Sequence, residues 1–162
     1  MKNHNYRIEF VSDKSAAEVY SAINKVRGWW SEDFNGSSEK LGDEFEVFFE
    51  DIHFSRHRVV EMIPGEKVVW LVTDSHLSFL KNPKEWIGTK NIFEITELNN
   101  VSEDKRTKIT FTHEGLVPGI ECYQNCSNGW NYYLQQSLAP ILNGGRANPN
   151  KKLRSVKKNE LL

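Results

Sequence analysis

Apolar and polar residues follow strand patterns in six stretches of this chain, five alternating at period two and one, Lys67 to Thr73, nearly continuously apolar, and recur at helical spacing in two others. Tyr6 to Val11 puts Tyr6, Ile8 and Phe10 on one face of a strand. Ser15 with Glu18 three residues on has the pattern of a capping box, and Ala16, Val19, Tyr20 and Ile23 continue as a helical stripe that should end near Asn24. Val26 to Trp30 reads as a short second helix or turn. Adjacent Trp29 and Trp30 must point different ways, one into the core and one to a rim or mouth. Residues 35–41 read as a Gly- and Ser-rich loop. Strand patterns follow at Glu44 to Glu50 (Phe45, Val47 and Phe49 inward), Phe54 to Ile63, and Lys67 to Thr73, where Trp70 shares a face with Val68 and Val72. Pro64-Gly65 forms the turn between the last two. Residues 74–87 read as an irregular flap carrying Phe79 and Trp86. Thr89 to Leu98 and Lys108 to His113 pair as a last hairpin around a turn at Asn99 to Asp104.

A long helix from Pro118 to Asn143 closes the pattern. Trp130, Leu134, Leu138 and Ile141 fall on one face, Tyr133 sits beside them, and Asn131, Gln135 and Gln136 face water. Asn143-Gly144-Gly145 ends it. Short turns between consecutive strands imply an antiparallel sheet, and helices grouped at its ends make the class α+β. About six strands must curve around one long C-terminal helix, with two short helices after the first strand. Residues 1–145 then form one domain, and residues 146–162 a mobile basic tail.

Composition adds little to this picture except in three places. Aromatic residues make up 12% of the 162 positions, five of them Trp, and large rigid rings suit the wall of a cavity. The tail holds Arg146, Lys151, Lys152, Arg154, Lys157 and Lys158 against Glu160 alone, a net +5. Residues 1–145 are then at −6 against −1 for the whole chain. An acidic body argues against duplex nucleic acid as a partner. No apolar run reaches the ~18 residues of a membrane span, and no apolar leader precedes the first strand. Cys122 and Cys126 stand four apart and complete no zinc pattern, so two reduced thiols in a cytoplasmic protein are expected, with a metal pair as the alternative.

Candidate chemistry is sparse. The chain has no nucleophile elbow, phosphate loop or dinucleotide fingerprint, so no cofactor is expected. His113 shares a strand face with Ile109 and Phe111 and is the first acid–base candidate. Tyr133 is the second, since its hydroxyl can meet a ligand while its ring packs. His53 and His57, with Glu50 and Asp51, match no metal signature, so no metal is assigned. The expected ligand-lining set is Trp30, Phe49, Trp70, Phe111, His113, Trp130, Tyr133 and Leu134.

Four stretches also resemble a known family: Trp29-Trp30 leading to Leu41-Gly42-Asp43-Glu44-Phe45-Glu46-Val47; Val60-Glu61-Met62-Ile63-Pro64 running to Val69-Trp70; Thr107 to His113; and Gly129-Trp130 with Leu134 and Leu138. In order and spacing they resemble the helix-grip fold of the START-like (SRPBCC) superfamily, and within it the AHSA1-like group, similar to the C-terminal domain of the Activator of Hsp90 ATPase. The resemblance covers about residues 6–142 and departs from the compact pattern at residues 74–87 and in the tail. It implies a deep cavity between a curved sheet and the long helix, holding a small apolar or aromatic ligand. Some members of the superfamily are cyclases, aromatases or hydrolases, which would give His113 or Tyr133 a reaction to serve. An Hsp90-type chaperone partner belongs to multidomain members and is not expected here; a homodimer is compatible with the resemblance.

Overall fold

Steric preference and burial turn these patterns into a single seven-stranded sheet, seen in a computed structural model that describes residues 4–99 and 105–151. Strand β1 (Tyr6–Ser12) leads to helices α1 (Ala16–Asn24) and α2 (Val26–Trp29), then to β2 (Phe34–Gly36), β3 (Glu44–Phe49), β4 (His53–Ile63), β5 (Lys67–Leu77), β6 (Lys90–Asn99) and β7 (Lys105–Glu114). The spatial order is β1-β7-β6-β5-β4-β3-β2, antiparallel throughout. Register shifts in the β4–β5 ladder fall between Arg56 and His57 and between Val59 and Glu61. Such bulges bend a strand and increase its twist, so the sheet curves. A C-terminal helix of about 19 residues lies against it. The fold is the α+β helix-grip arrangement that the element order implies.

The α1 cap forms as the sequence specifies. Ser15 Oγ accepts from the Glu18 amide at 3.1 Å, and Glu18 Oε1 accepts from the Ser15 amide at 3.0 Å. Two otherwise unpaired helix-end donors are thereby satisfied, an arrangement worth roughly 1 kcal/mol. Val19 and Ile23 are fully buried, so the stripe on this helix faces the core.

Four expectations are corrected. The sheet has seven strands rather than six, because residues 34–36 pair with Val47, Glu46 and Phe45. Gly36 permits that edge: its φ is +99°, and a Cβ there would sit 2.3 Å from the Glu44 carbonyl oxygen. Strand β5 does not stop at Thr73 but runs to Leu77, with Ser75, His76 and Leu77 opposite Ser55, Phe54 and His53. The polar run Thr73-Asp74-Ser75-His76 ends the apolar stretch Val68 to Val72, while the backbone ladder continues regardless. The closing helix does not start at Pro118. Residues 118–122 form turns, with Ile120 N donating to the Val117 carbonyl and Tyr123 N to the Ile120 carbonyl, before α3 (Tyr123–Tyr133) begins.

The helix face also shifts. After α3 the chain passes through a π-helical segment, Leu134–Leu138, into the short α4 (Ala139–Ile141). A wider turn inserts about one residue and rotates the next helical segment about the axis. Ile141 therefore points outward at 38% exposure, and Leu142 takes the inward place at 2%. Ser137, fully buried within the π segment, donates to the Trp29 carbonyl at 2.7 Å and accepts from the Asn148 amide at 2.7 Å. Residues 146–151 of the expected tail are thus tied to the domain. The remaining tail, 152–162, lies outside the described residues, as does most of the 99–104 turn.

Candidate functional site

Aromatic rings fill the middle of the space between sheet and helix. Phe45, Trp70, Phe93, Phe111, Trp130 and Trp30 follow one another with centroids 4.5 to 5.0 Å apart, and Trp30 returns to Trp70 at 5.9 Å. These distances suit offset and edge contacts. The interior directly behind Trp130 is therefore solid. Trp70, Phe111 and Leu134 are fully buried in it, so their expected place on a ligand wall is corrected: they support the wall from behind.

The hollow lies at one end of this ring cluster. It is a cleft of about 360 Å³, bounded by α3 (Asn125, Cys126, Gly129, Trp130, Tyr133), the β3–β4 turn (Phe49, Glu50, Ile52, His53), Phe79 and Trp86 from the segment after β5, and Trp30. Trp30, Phe49, Trp130 and Tyr133 thus come together as anticipated in position. Both tryptophans after α1 are buried; Trp29 joins the core with its Nε1 donating to the Ile23 carbonyl at 3.1 Å, while Trp30 forms the inner wall. Trp86 stacks parallel to Trp130 at 6.2 Å. Ile52 and Phe79, 54% and 42% exposed, give the mouth an apolar rim.

Several elements hold this geometry. Asn150 also lines the cleft: its amide donates to the Trp30 carbonyl at 2.9 Å and its Nδ2 to the Phe48 carbonyl at 2.9 Å. Gly129 presents no side chain, and a Cβ there would meet nothing within 4 Å, so the helix leaves that part of the space open. Glu50 takes a left-handed conformation, φ 55°, at the hairpin turn, which sets it at the mouth at a modest backbone cost.

His113 does not face the cleft. It is fully buried behind Trp86 and Trp130, with Trp130 Nε1 donating to its Nδ1 at 3.0 Å. Its Nε2 must then carry the proton and donate to Thr89 Oγ1 at 2.8 Å, and Thr89 in turn donates to the Trp86 carbonyl at 2.6 Å. Burial pushes its pKa down to about 3, which keeps the ring neutral. Both nitrogens are engaged, so the assignment of His113 as ligand contact or base is corrected: it locks Trp130 in place. Tyr133 does line the cleft, and burial, then Tyr132 and Glu50, push its hydroxyl up to about 12.

Sequence reasoning missed His53 as a cleft residue. His53, Ser55 and His57 alternate along β4 and so share its inner face. His53 Nε2 and Ser55 Oγ are 2.9 Å apart, as are Ser55 Oγ and His57 Nε2, and Asn91 Nδ2 lies 3.4 Å from His57 Nδ1. Burial pushes His53 down to about 3 and His57 well below its usual range. The period-two run His-x-Ser-x-His was the available signal. Trp86, placed by the sequence on the flap but left out of the lining set, forms part of the wall through partners from other elements. Among the described residues no group of three or more His, Cys, Asp or Glu is placed to hold a metal ion.

The cysteines depart from expectation as well. Cys122 and Cys126 form a disulfide at the start of α3, their Cα atoms 5.5 Å apart, within the range such a bridge spans. One helical turn brings positions i and i+4 together. Reduced thiols therefore no longer support a cytoplasmic setting. Among the described residues no helix is long and apolar enough to cross a membrane.

No protein-family model matches the chain, and no curated protein matches it in sequence. Solved structures do match in fold. The Aha1 dimer from Colwellia psychrerythraea, in solution, is 22% identical over 90% of this chain and 98% of its own, with a TM-score of 0.67. SSP2350 from Staphylococcus saprophyticus is 15% identical over 90% and 98%, with a TM-score of 0.62. DynU16, of the dynemicin biosynthetic locus, is 15% identical over 90% of this chain and 50% of its own, with a TM-score of 0.60. These neighbours agree with the START-like, AHSA1-like resemblance carried by the four sequence stretches, and at these identities they establish the shared fold.

Proposed function

We propose that this START-like chain, an AHSA1-like protein by its resemblance, binds a small apolar or aromatic molecule in the end cleft. The observation that carries the reading is the wall itself: Trp30, Phe49, Trp86, Trp130 and Tyr133 converge on a space of about 360 Å³ that their own packing leaves open. Interiors of proteins are ordinarily close-packed, so an aromatic-lined hollow of this size is a site in need of an occupant. Each Å² of apolar surface that occupant and wall withdraw from water contributes roughly 25 cal/mol. The acidic Glu50 at the mouth disfavours an anion.

Passing a cell extract over the immobilised protein and identifying the retained small molecules by mass spectrometry tests the reading. A neutral aromatic or apolar compound is expected from the wild type. Gly129→Leu should retain none of it, because the added side chain enters the cleft. That variant should melt no lower than the wild type, since leucine is a much better helix former than glycine, which lies about 0.8–1 kcal/mol below alanine. Equal retention by both proteins would mean that the compound sits elsewhere.

The Colwellia neighbour is a dimer. That supports the expectation that this chain also pairs with itself, and light scattering on a sizing column should then give twice the chain mass at micromolar concentration. A mass of one chain across that range overturns it. An acid–base role at this site would fall to Tyr133 or His53, the titratable groups with polar atoms at the wall besides Glu50, and no reaction is assigned to them.

A further inference from the structure

The cleft has one polar group whose hydrogen-bonding character is set from a distance. His53 lies on the wall between Phe49 and Trp86, with ring centroids 4.7 and 5.0 Å away. Its Nε2 is tied to Ser55 Oγ, and no partner is found for its Nδ1 among the described residues. We infer that His53 is the ligand-recognition residue of the cleft, and that Asn91, three hydrogen bonds behind it, makes its free nitrogen a donor to an oxygen acceptor on a neutral aromatic ligand.

The direction follows from counting donors along the chain. Asn91 Nδ2 donates to His57 Nδ1, so the neutral His57 carries its proton on Nε2 and donates to Ser55. Ser55 then has its own hydroxyl proton left for His53 Nε2. A neutral imidazole accepting at Nε2 must bear its proton on Nδ1, the position without a partner. Turning the Asn91 amide over would reverse every step and leave His53 Nδ1 an acceptor.

The structure distinguishes the two arrangements. As placed, Asn91 leaves one buried acceptor, Oδ1, without a partner. Turned over, the oxygen would accept from His57 Nδ1 and both donors of a buried NH₂ would be unpaired, so the flip exchanges an unpaired acceptor for a second unpaired donor. Buried unpaired groups each cost free energy, and unpaired N–H groups are the rarer case in folded proteins. The fully buried positions of Ser55, His57 and Asn91 keep water from substituting for any link. Tyr133, whose hydroxyl stays protonated to about pH 12, provides a second neutral donor on the opposite, helical wall. Both donors suit a carbonyl or ether oxygen, and Glu50 beside them works against a carboxylate.

The inference rests on the binding reading above, and three probes separate the two. Naphthalene, 2-acetylnaphthalene and 2-naphthol are equilibrated by dialysis against the full chain and the bound fractions measured. The wild type should take 2-acetylnaphthalene roughly three- to tenfold more tightly than naphthalene, the range of one neutral hydrogen bond. His53→Phe should lose that preference while still taking naphthalene. Asn91→Asp accepts from His57 Nδ1 and reverses the chain, so preference should move from 2-acetylnaphthalene to 2-naphthol. Ser55→Ala, which adds no charge, should abolish discrimination between those two; circular dichroism confirms that each variant is folded. Equal affinity of the wild type for naphthalene and 2-acetylnaphthalene, or a ketone preference that survives in His53→Phe, overturns the inference and leaves the cleft reading intact. A wild type that takes none of the three overturns both.

Discussion

Replacing Trp130 with alanine is expected to cost about 3–5 kcal/mol of folding stability, the range for deleting a buried large aromatic. Trp130 is 2% exposed and touches Trp30 at 4.8 Å and Phe111 at 4.5 Å. Its removal opens a hole that these stacked rings are too rigid to close. It also deprives His113 Nδ1 of its donor in a site that water does not reach. Domains of this kind are stable by ~5–15 kcal/mol in all, so the variant should sit near its folding threshold. Urea unfolding followed by tryptophan fluorescence and circular dichroism measures the loss. Trp130→Phe separates the two contributions: it keeps most of the ring contact and gives up only the hydrogen bond, so about 1–2 kcal/mol should be lost. If Trp130→Ala cost less than Trp130→Phe, the ring would not be the support of the cleft wall.

Acid should unfold the chain well above the pH at which carboxylates alone would do it. His53 and His113 titrate at about 3 in the folded protein, and His57 well below its usual range, because burial penalises the imidazolium in each; for His57 the neighbouring His53 and His113 add to it. In the unfolded chain all three return to about 6.5. The unfolded state therefore binds more protons between pH 6.5 and 3. Stability from these groups is fully present above pH 6.5 and is lost as pH falls toward the folded values. Each histidine removes about 1.4 kcal/mol per pH unit in that window. Three together remove roughly 4 kcal/mol per unit, against a total of ~5–15. Asp43 and Asp74, held low by hydrogen bonds from Ser37 and Lys84 first, act in the same sense at the lower end. The melting temperature should be flat from pH 8 to 7 and fall steeply below pH 6, with the acid midpoint between about pH 4 and 5. His113→Gln should flatten part of that slope. A melting temperature unchanged between pH 7 and 5 would show that these rings are not buried neutral.

Much of the fold was legible because it rests on neighbours in sequence. Strand β3 alternates Phe45, Val47 and Phe49 against glutamates, and the Ser15–Glu18 cap needs no long-range partner. The site was legible only in part. The choice of Trp30, Phe49, Trp130 and Tyr133 followed from their facing inward, and they do border the hollow. Trp70 and Phe111 face inward by the same rule, yet they lie deep in the ring cluster. Facing inward separates core from solvent; it does not separate core from void. His113 shows the same limit, since its alternation placed it inside, while Trp130 and Thr89, from other parts of the chain, took up both its nitrogens.

The sequence by itself determined which residues turn away from water and in what order strands and helices follow. Those properties depend on the backbone's two periodicities and on the solubility of each side chain, which are local. Tertiary structure alone decided where the hollow opens, which rings border it, and that a π-helical turn hands the inward position from Ile141 to Leu142. An empty space is what remains after side chains far apart in sequence have packed, and no short stretch of the chain carries the information for what its distant partners leave unfilled.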